Sequence, residues 1–201
     1  MSVQLAVAPI AWSNSDLPEL GGDTSLDTCL QESREAGFTG TETGVKYPME
    51  PEVLGPKLKY YGLQLASGWF SGNLRECSVD QEFENLQEML RTFKALEAPV
   101  LVYAETSRSI QSRKEIPLNQ RPVMPDSEFT EYGEKLSEVA SRMDDYGVPM
   151  VYHHHMGTVI ETEREIDLLM ENTGPSVGLL IDTGHLTFAG GNVEATTRRY
   201  G

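Results

Sequence analysis

Little in this sequence invites cross-linking, membrane insertion or phosphate binding. Its 201 residues include only 2 cysteines, 4 histidines and 2 tryptophans. Cys29 and Cys77 stand without the spacing of a zinc knuckle or a disulfide framework, which points to a reducing compartment and an expected cytoplasmic location. The longest uninterrupted apolar run, "LAVAPIAW" from Leu5 to Trp12, is far too short to span a bilayer, so no membrane association is expected. No basic segment precedes it, as a secretory signal would require. Neither a G-x-G-x-x-G fingerprint nor a P-loop follows it, so the usual marks of nucleotide-binding folds are missing. Basic residues are scarce as well, 16 against 31 acidic ones, for a formal net charge of −15. A diffuse anionic surface repels phosphate backbones, which argues against nucleic acid as a partner and mildly against a strongly anionic substrate. It reads as a device for solubility. With no low-complexity tract or linker either, residues 1–201 are read as a single domain.

What is present is an alternation of short apolar runs with amphipathic stretches. Strands are expected at Val3–Trp12, Phe38–Thr43, Leu63–Phe70, Pro99–Glu105, "VPMVYHHH" and Val177–Leu186. Between them lie "LDTCLQESREAGF", stopping at Gly37, and a Pro-interrupted "PEVLGPKLKYYG". Two helices show apolar stripes at spacings of three and four: Phe83, Leu86, Leu90 and Phe93, then Phe129, Tyr132, Leu136, Val139 and Met143. Ser78 with Gln81, and Thr162 with Glu165, have the spacing of capping boxes. Near-continuously apolar strands alternating with helices mean a parallel sheet covered by helices, an α/β fold. Polar or aromatic residues close strand after strand, as in a (β/α)8 TIM barrel, which gathers its site from the C-terminal ends of many strands. Six β/α units fall short of the roughly 250 residues of a whole barrel, so the sequence is expected to be a barrel incomplete at its C-terminus. An oligomer is compatible with the open sheet edges this leaves.

Three of the four histidines are consecutive, in "VYHHHMGTVIETE", and the fourth is in "LLIDTGHLTFAGG". Alternation along a strand would put His153 and His155 on one face and His154 on the other. Asp182 and His185 arrive from the end of the next strand. Imidazole and carboxylate ligands together suit Mn2+, Co2+, Fe2+ or Zn2+ better than Ca2+. Asp182 could equally serve as a helix N-cap, and His185 as a packed core residue. Glu42 and Lys46 in "TETGVKYP" could hold a pair of polyol hydroxyls or form a loop salt bridge. Trp69 could stack on a sugar face or pack in the core, and Glu105 could be a further carboxylate at the mouth or a helix-start residue.

"APIAWSNSDLPELGGD", "GFTGTETGVKYPM", "LASGWFSG", "VYAET", "YHHHMGT" and "GLLIDTGHLTFAGG", in this order, resemble the inosose dehydratase family of inositol catabolism, within the xylose isomerase-like TIM barrels, from about Val3 to Gly191. The resemblance implies a lyase that dehydrates 2-keto-myo-inositol (scyllo-inosose) to a trihydroxycyclohexanedione, dependent on Mn2+ or Co2+ and on glutathione. It implies metal ligation by His153 and Asp182, with His155 an alternative to His153, and further ligands beyond Gly201. Proton transfer then falls to His155 and His185, because imidazole titrates near neutral pH. Glu42, Lys46, Trp69 and Glu105 are the candidates to hold the polyol ketone. A sugar epimerase or isomerase on the same barrel, or a non-catalytic polyol-binding barrel, are the competing expectations.

Overall fold

The computed structural model describes residues 3–201. Six strands form one sheet in chain order: β1 (Ala6–Val7), β2 (Gly40–Thr43), β3 (Gln64–Gly72), β4 (Leu101–Glu105), β5 (Met150–His153) and β6 (Val177–Leu180). The pairs β1–β2, β2–β3 and β5–β6 are parallel. Helices α1 (Leu26–Glu35), α2 (Pro51–Tyr61), α3 (Val79–Ala95), α4 (Phe129–Tyr146) and α5 (Glu163–Glu171) connect successive strands, and α6 (Thr183–Phe188) and α7 (Val193–Tyr200) follow β6. This is the alternation expected from the sequence.

Among the described residues, contacts gather into two compact units, one of residues 3–69 with 87–101 and the other of residues 70–86 with 102–201. In the first, Leu30, Leu54, Leu65, Leu90 and Phe93 are buried. Gly68 lies so close to Thr43 that a Cβ would come within 1.9 Å of the threonine hydroxyl, so β3 can approach β2 only with glycine there. The second unit is built on the α4 stripe Phe129, Tyr132, Leu136, Val139 and Met143, with Tyr103, Tyr152, Ile166 and Leu169. Burying a side chain of this size removes apolar surface worth about 1.5–3 kcal/mol each.

The ends of several elements differ from the pattern. β1 is two residues long, because Pro9, which has no N–H to give a ladder, opens a 3-10 turn over Pro9–Ala11. β6 stops at Leu180 rather than Leu186, since Asp182 caps a helix that takes over the apolar residues of "HLTF". α2 continues through Pro56 and ends at Gly62, which is left-handed at φ 68°. At Thr162 both hydrogen bonds of the capping box are made. At α3 only half is: Ser78 Oγ accepts the Gln81 N–H at 3.2 Å, but the Gln81 amide turns to Asn85.

Candidate metal centre

β5 ends at His153, so His154 and His155 leave the ladder and are aimed by other bonds. The separation expected from strand alternation nevertheless holds. The His153, His155 and His185 rings cluster, with centroids 5.6 Å apart for His153–His155, 5.5 Å for His153–His185 and 3.8 Å for His155–His185. His154 points into the interior and is fully buried. Its Nε2 accepts the Asp182 N–H at 3.2 Å, which places the ring proton on Nδ1, a buried donor with no partner among the described residues. Burial lowers the pKa of His154 to about 4, so it stays neutral and keeps accepting that bond at physiological pH.

Asp182 is the N-cap of α6, and its two oxygens do different work. Oδ1 accepts the His185 N–H at 2.7 Å. Oδ2 lies 3.1 Å from His153 Nε2 and 3.8 Å from His185 Nε2. The bond from His153 holds the Asp182 carboxyl well below the usual carboxylate range, so it is ionised. Burial, reinforced by His155 and His153, lowers His185 to about 4, leaving it neutral and able to give a lone pair.

Ligand atoms of His153, Asp182 and His185 all lie within 4.8 Å of one another. A cation held at about 2.1 Å from each of several ligands keeps neighbouring donors roughly 3.0–3.5 Å apart. The 3.1 and 3.8 Å separations from Asp182 Oδ2 are close to that and the third pair lies within 4.8 Å, so the spacing and chemistry of the two imidazoles and one carboxylate suit a divalent transition metal. His155 differs. Its Nδ1 is 2.7 Å from the Met156 carbonyl, and since a carbonyl only accepts, Nδ1 carries a proton.

The remaining sequence candidates make contacts of their own. Glu42 and Lys46 do not pair. Glu42 accepts from the Ser67 hydroxyl, while Lys46 donates to the carbonyls of Gly21, Gly22 and Thr24 and pins the β1–α1 loop. Trp69 is half-buried on β3. These three belong to the first unit, the histidine cluster to the second. Glu105 is in the second unit but fully buried, accepting the backbone N–H groups of Ser107 and Arg75, with its pKa raised by that burial. Sequence reasoning missed Glu82, whose fully buried carboxylate accepts from Tyr103 Oη at 2.6 Å and from Asn73 N–H at 2.8 Å. The signal was available, because Glu82 precedes Leu86 by four residues and so falls on the buried stripe of α3. Arg121, described below, had no such signal.

A family model described as "Xylose isomerase-like TIM barrel" matches residues 30–201. The chain belongs to this family. As a xylose isomerase-like barrel it is 47% identical over 200 residues to the rhizopine catabolism protein MocC of Rhizobium meliloti, covering 100% of this chain and 62% of that protein. It is 41% identical over 190 residues to the inosose dehydratase of Geobacillus thermodenitrificans, covering 94% of this chain and 64% of the relative. The chain thus spans less than two thirds of the length of these relatives. Among solved structures, the probable 3-DHS dehydratase AsbF of Bacillus anthracis superposes with a TM-score of 0.70 at 13% identity, covering 98% of this chain and 69% of that one, a likeness of fold.

Proposed function

We propose that this xylose isomerase-like barrel carries out the dehydration of a cyclic polyol ketone, 2-keto-myo-inositol, as a cytoplasmic, metal-assisted hydro-lyase of inositol catabolism. The observation that carries the reading is the grouping of His153, Asp182 and His185 beside His155, in a chain 41% identical to an inosose dehydratase. His153, Asp182 and His185 would hold a divalent cation, Mn2+ or Co2+. His185 is assigned here to ligation rather than to proton transfer, because its Nε2 faces the same carboxylate oxygen as His153. When bound, such a cation supplies Lewis acidity to a ketone oxygen, worth several kcal/mol.

The chain's own residues do the rest. Neutral His155, with its lone pair on Nε2, takes the proton from the carbon next to the ketone, and the imidazolium so formed is a source of the proton that leaves with the β-hydroxyl. Positioned proton transfer of this kind contributes about 10²- to 10⁴-fold. Among the candidates for the polyol hydroxyls, Glu105 belongs to the same unit as the histidine cluster, and its carboxyl also anchors the backbone of Ser107 and Arg75. The small-molecule ketone is the only partner the reading needs.

The test is to incubate the protein with 2-keto-myo-inositol and Mn2+ or Co2+ and weigh the product by mass spectrometry in deuterated water. A product lighter by one water is expected. A product of unchanged formula that has exchanged its α-hydrogen would make the chain an epimerase or isomerase instead, and no turnover by metal-loaded protein would sink both.

A further inference from the structure

His155 lies beyond the last ladder residue of β5, so the sheet does not fix it. What does is a loop tied from outside. The connection between β4 and α4 runs over residues 106–128, and from it Arg121 reaches into the β5–α5 loop with its side chain only 11% exposed. Its guanidinium is engaged on every side. Nη1 donates to the carbonyls of Pro122 at 3.1 Å and Thr158 at 3.0 Å, Nη2 donates to Glu165 Oε1 at 2.8 Å, and Nε lies 3.3 Å from Glu161 Oε1.

Apart from the adjacent Pro122, each of these partners is a joint of the loop that begins with His155. Thr158 closes a turn, its hydroxyl lying 2.8 Å from the His155 carbonyl. Glu161 Oε2 accepts the Gly157 N–H at 2.7 Å. Glu165 Oε2 accepts the N–H groups of Glu161 and Thr162 at 3.0 and 2.9 Å, and the His155 N–H closes the loop on the Ile160 carbonyl at 3.0 Å. A second strap comes from the same connection. The Ile110 N–H donates to the Gly157 carbonyl at 2.9 Å, and Gly157, at φ 79°, sits so near Gln111 that a Cβ would approach its backbone nitrogen to 2.9 Å.

Arg121 also has the right charge. Glu161 and Glu165 have side chains only 13% and 7% exposed. Two carboxylates that poorly solvated stay together only with a cation between them, and the planar guanidinium fork satisfies both while still reaching a carbonyl. A lysine supplies the charge without the fork.

We propose that Arg121 is a positioning residue that holds the His155 imidazole, through the β5–α5 loop, in the Nδ1–H form beside His185. The catalytic importance of that orientation rests on the lyase reading above, whereas the positioning itself does not. The cation ligands are held differently, His153 by the β5 ladder and Asp182 with His185 by the start of α6, so loss of Arg121 is expected to spare them.

The experiment uses the full chain as Arg121→Met, Arg121→Lys and the triple Arg121→Met/Glu161→Gln/Glu165→Gln, the last removing the unpaired carboxylates should the single variant not fold. Long-range 1H–15N spectra of the four imidazoles report the tautomer of each, and calorimetric titration with Zn2+ reports the cation site. Expected in the folded variants is loss of the single Nδ1–H signature at His155, with Lys no better than Met. Zn2+ affinity should change less than about threefold, against the roughly 10- to 100-fold loss typical of a residue that supports a metal ligand. An unaltered His155 spectrum in a folded variant overturns the proposal, and so does a collapse of Zn2+ affinity, which would make Arg121 a support of the cation site. Either result can be read whether or not the protein proves to be a lyase, so the two failures are separable.

Discussion

Asp182 Oδ1 takes the His185 N–H at 2.7 Å while Oδ2 faces His153 Nε2 at 3.1 Å, and the two tasks can be pulled apart by substitution. Asparagine keeps an oxygen for the cap and loses the charge; alanine loses both. Asp182→Asn is therefore expected to keep the cap but to lose the stability that the ionised carboxylate gains from His153, and to bind Mn2+ more than about 10-fold more weakly, beyond the low end of losses seen even for supporting residues. Asp182→Ala should add a stability loss of about 1 kcal/mol for the missing cap. Calorimetry and thermal melting check both, and an asparagine variant that binds Mn2+ like the parent would remove Asp182 from the ligand set. Because its pKa is held below the ordinary 3.8, the ionised carboxylate contributes stability that is present above that value and lost as the pH falls through the folded-state pKa. At this scale the sequence was readable where spacing carried chemistry. Asp182 was a candidate as both ligand and cap, and His185, three residues on, as proton-transfer or packed residue; the structure gives Asp182 the cap together with a place in the cluster. Arg121 was unreadable, because a single arginine in a polar connection has no periodicity, and its partners in the histidine loop and α5 lie 37 to 44 residues away.

The α4–α5 contact shows what the elements themselves require. Gly133 lies inside α4, where glycine costs about 1 kcal/mol relative to alanine. A Cβ there would come within 2.1 Å of the Asn172 carbonyl at the end of α5, and the neighbouring Ser137 hydroxyl accepts the Gly174 N–H at 2.8 Å. Gly133→Ala is thus expected to destabilise the protein by about 1–3 kcal/mol despite better helix propensity. Urea midpoints measure this, and a stabilised variant would show that the two helices can part at no cost. Helix stripes and caps were legible because 3.6-residue periodicity and capping chemistry are local. Strand ends were not, because an apolar run such as "GLLIDTGHL" suits a strand and a short helix equally, and Asp182 decides between them only once a neighbouring N–H is in reach.

For the whole molecule, the dominant sequence property is a net charge of −15 on 201 residues. Self-repulsion of that size opposes compactness and is screened by salt, with a Debye length of about 10 Å at 0.1 M. The melting temperature should therefore rise between about 20 and 200 mM NaCl, and a fall on the same scan would mean that attractive ion pairs outweigh the net charge. By itself the sequence determined the β/α alternation, the parallel sheet and the residue types of the candidate cation site, because hydrophobic periodicity and ligand chemistry are properties of short segments. Tertiary structure alone decided that His154 accepts the Asp182 N–H, and that Lys46, Glu82 and Glu105 tie down chain segments. It also decided that an arginine from another connection clamps the histidine loop. Those outcomes depend on which backbone groups of distant segments are left needing partners, and that is settled only when the segments meet.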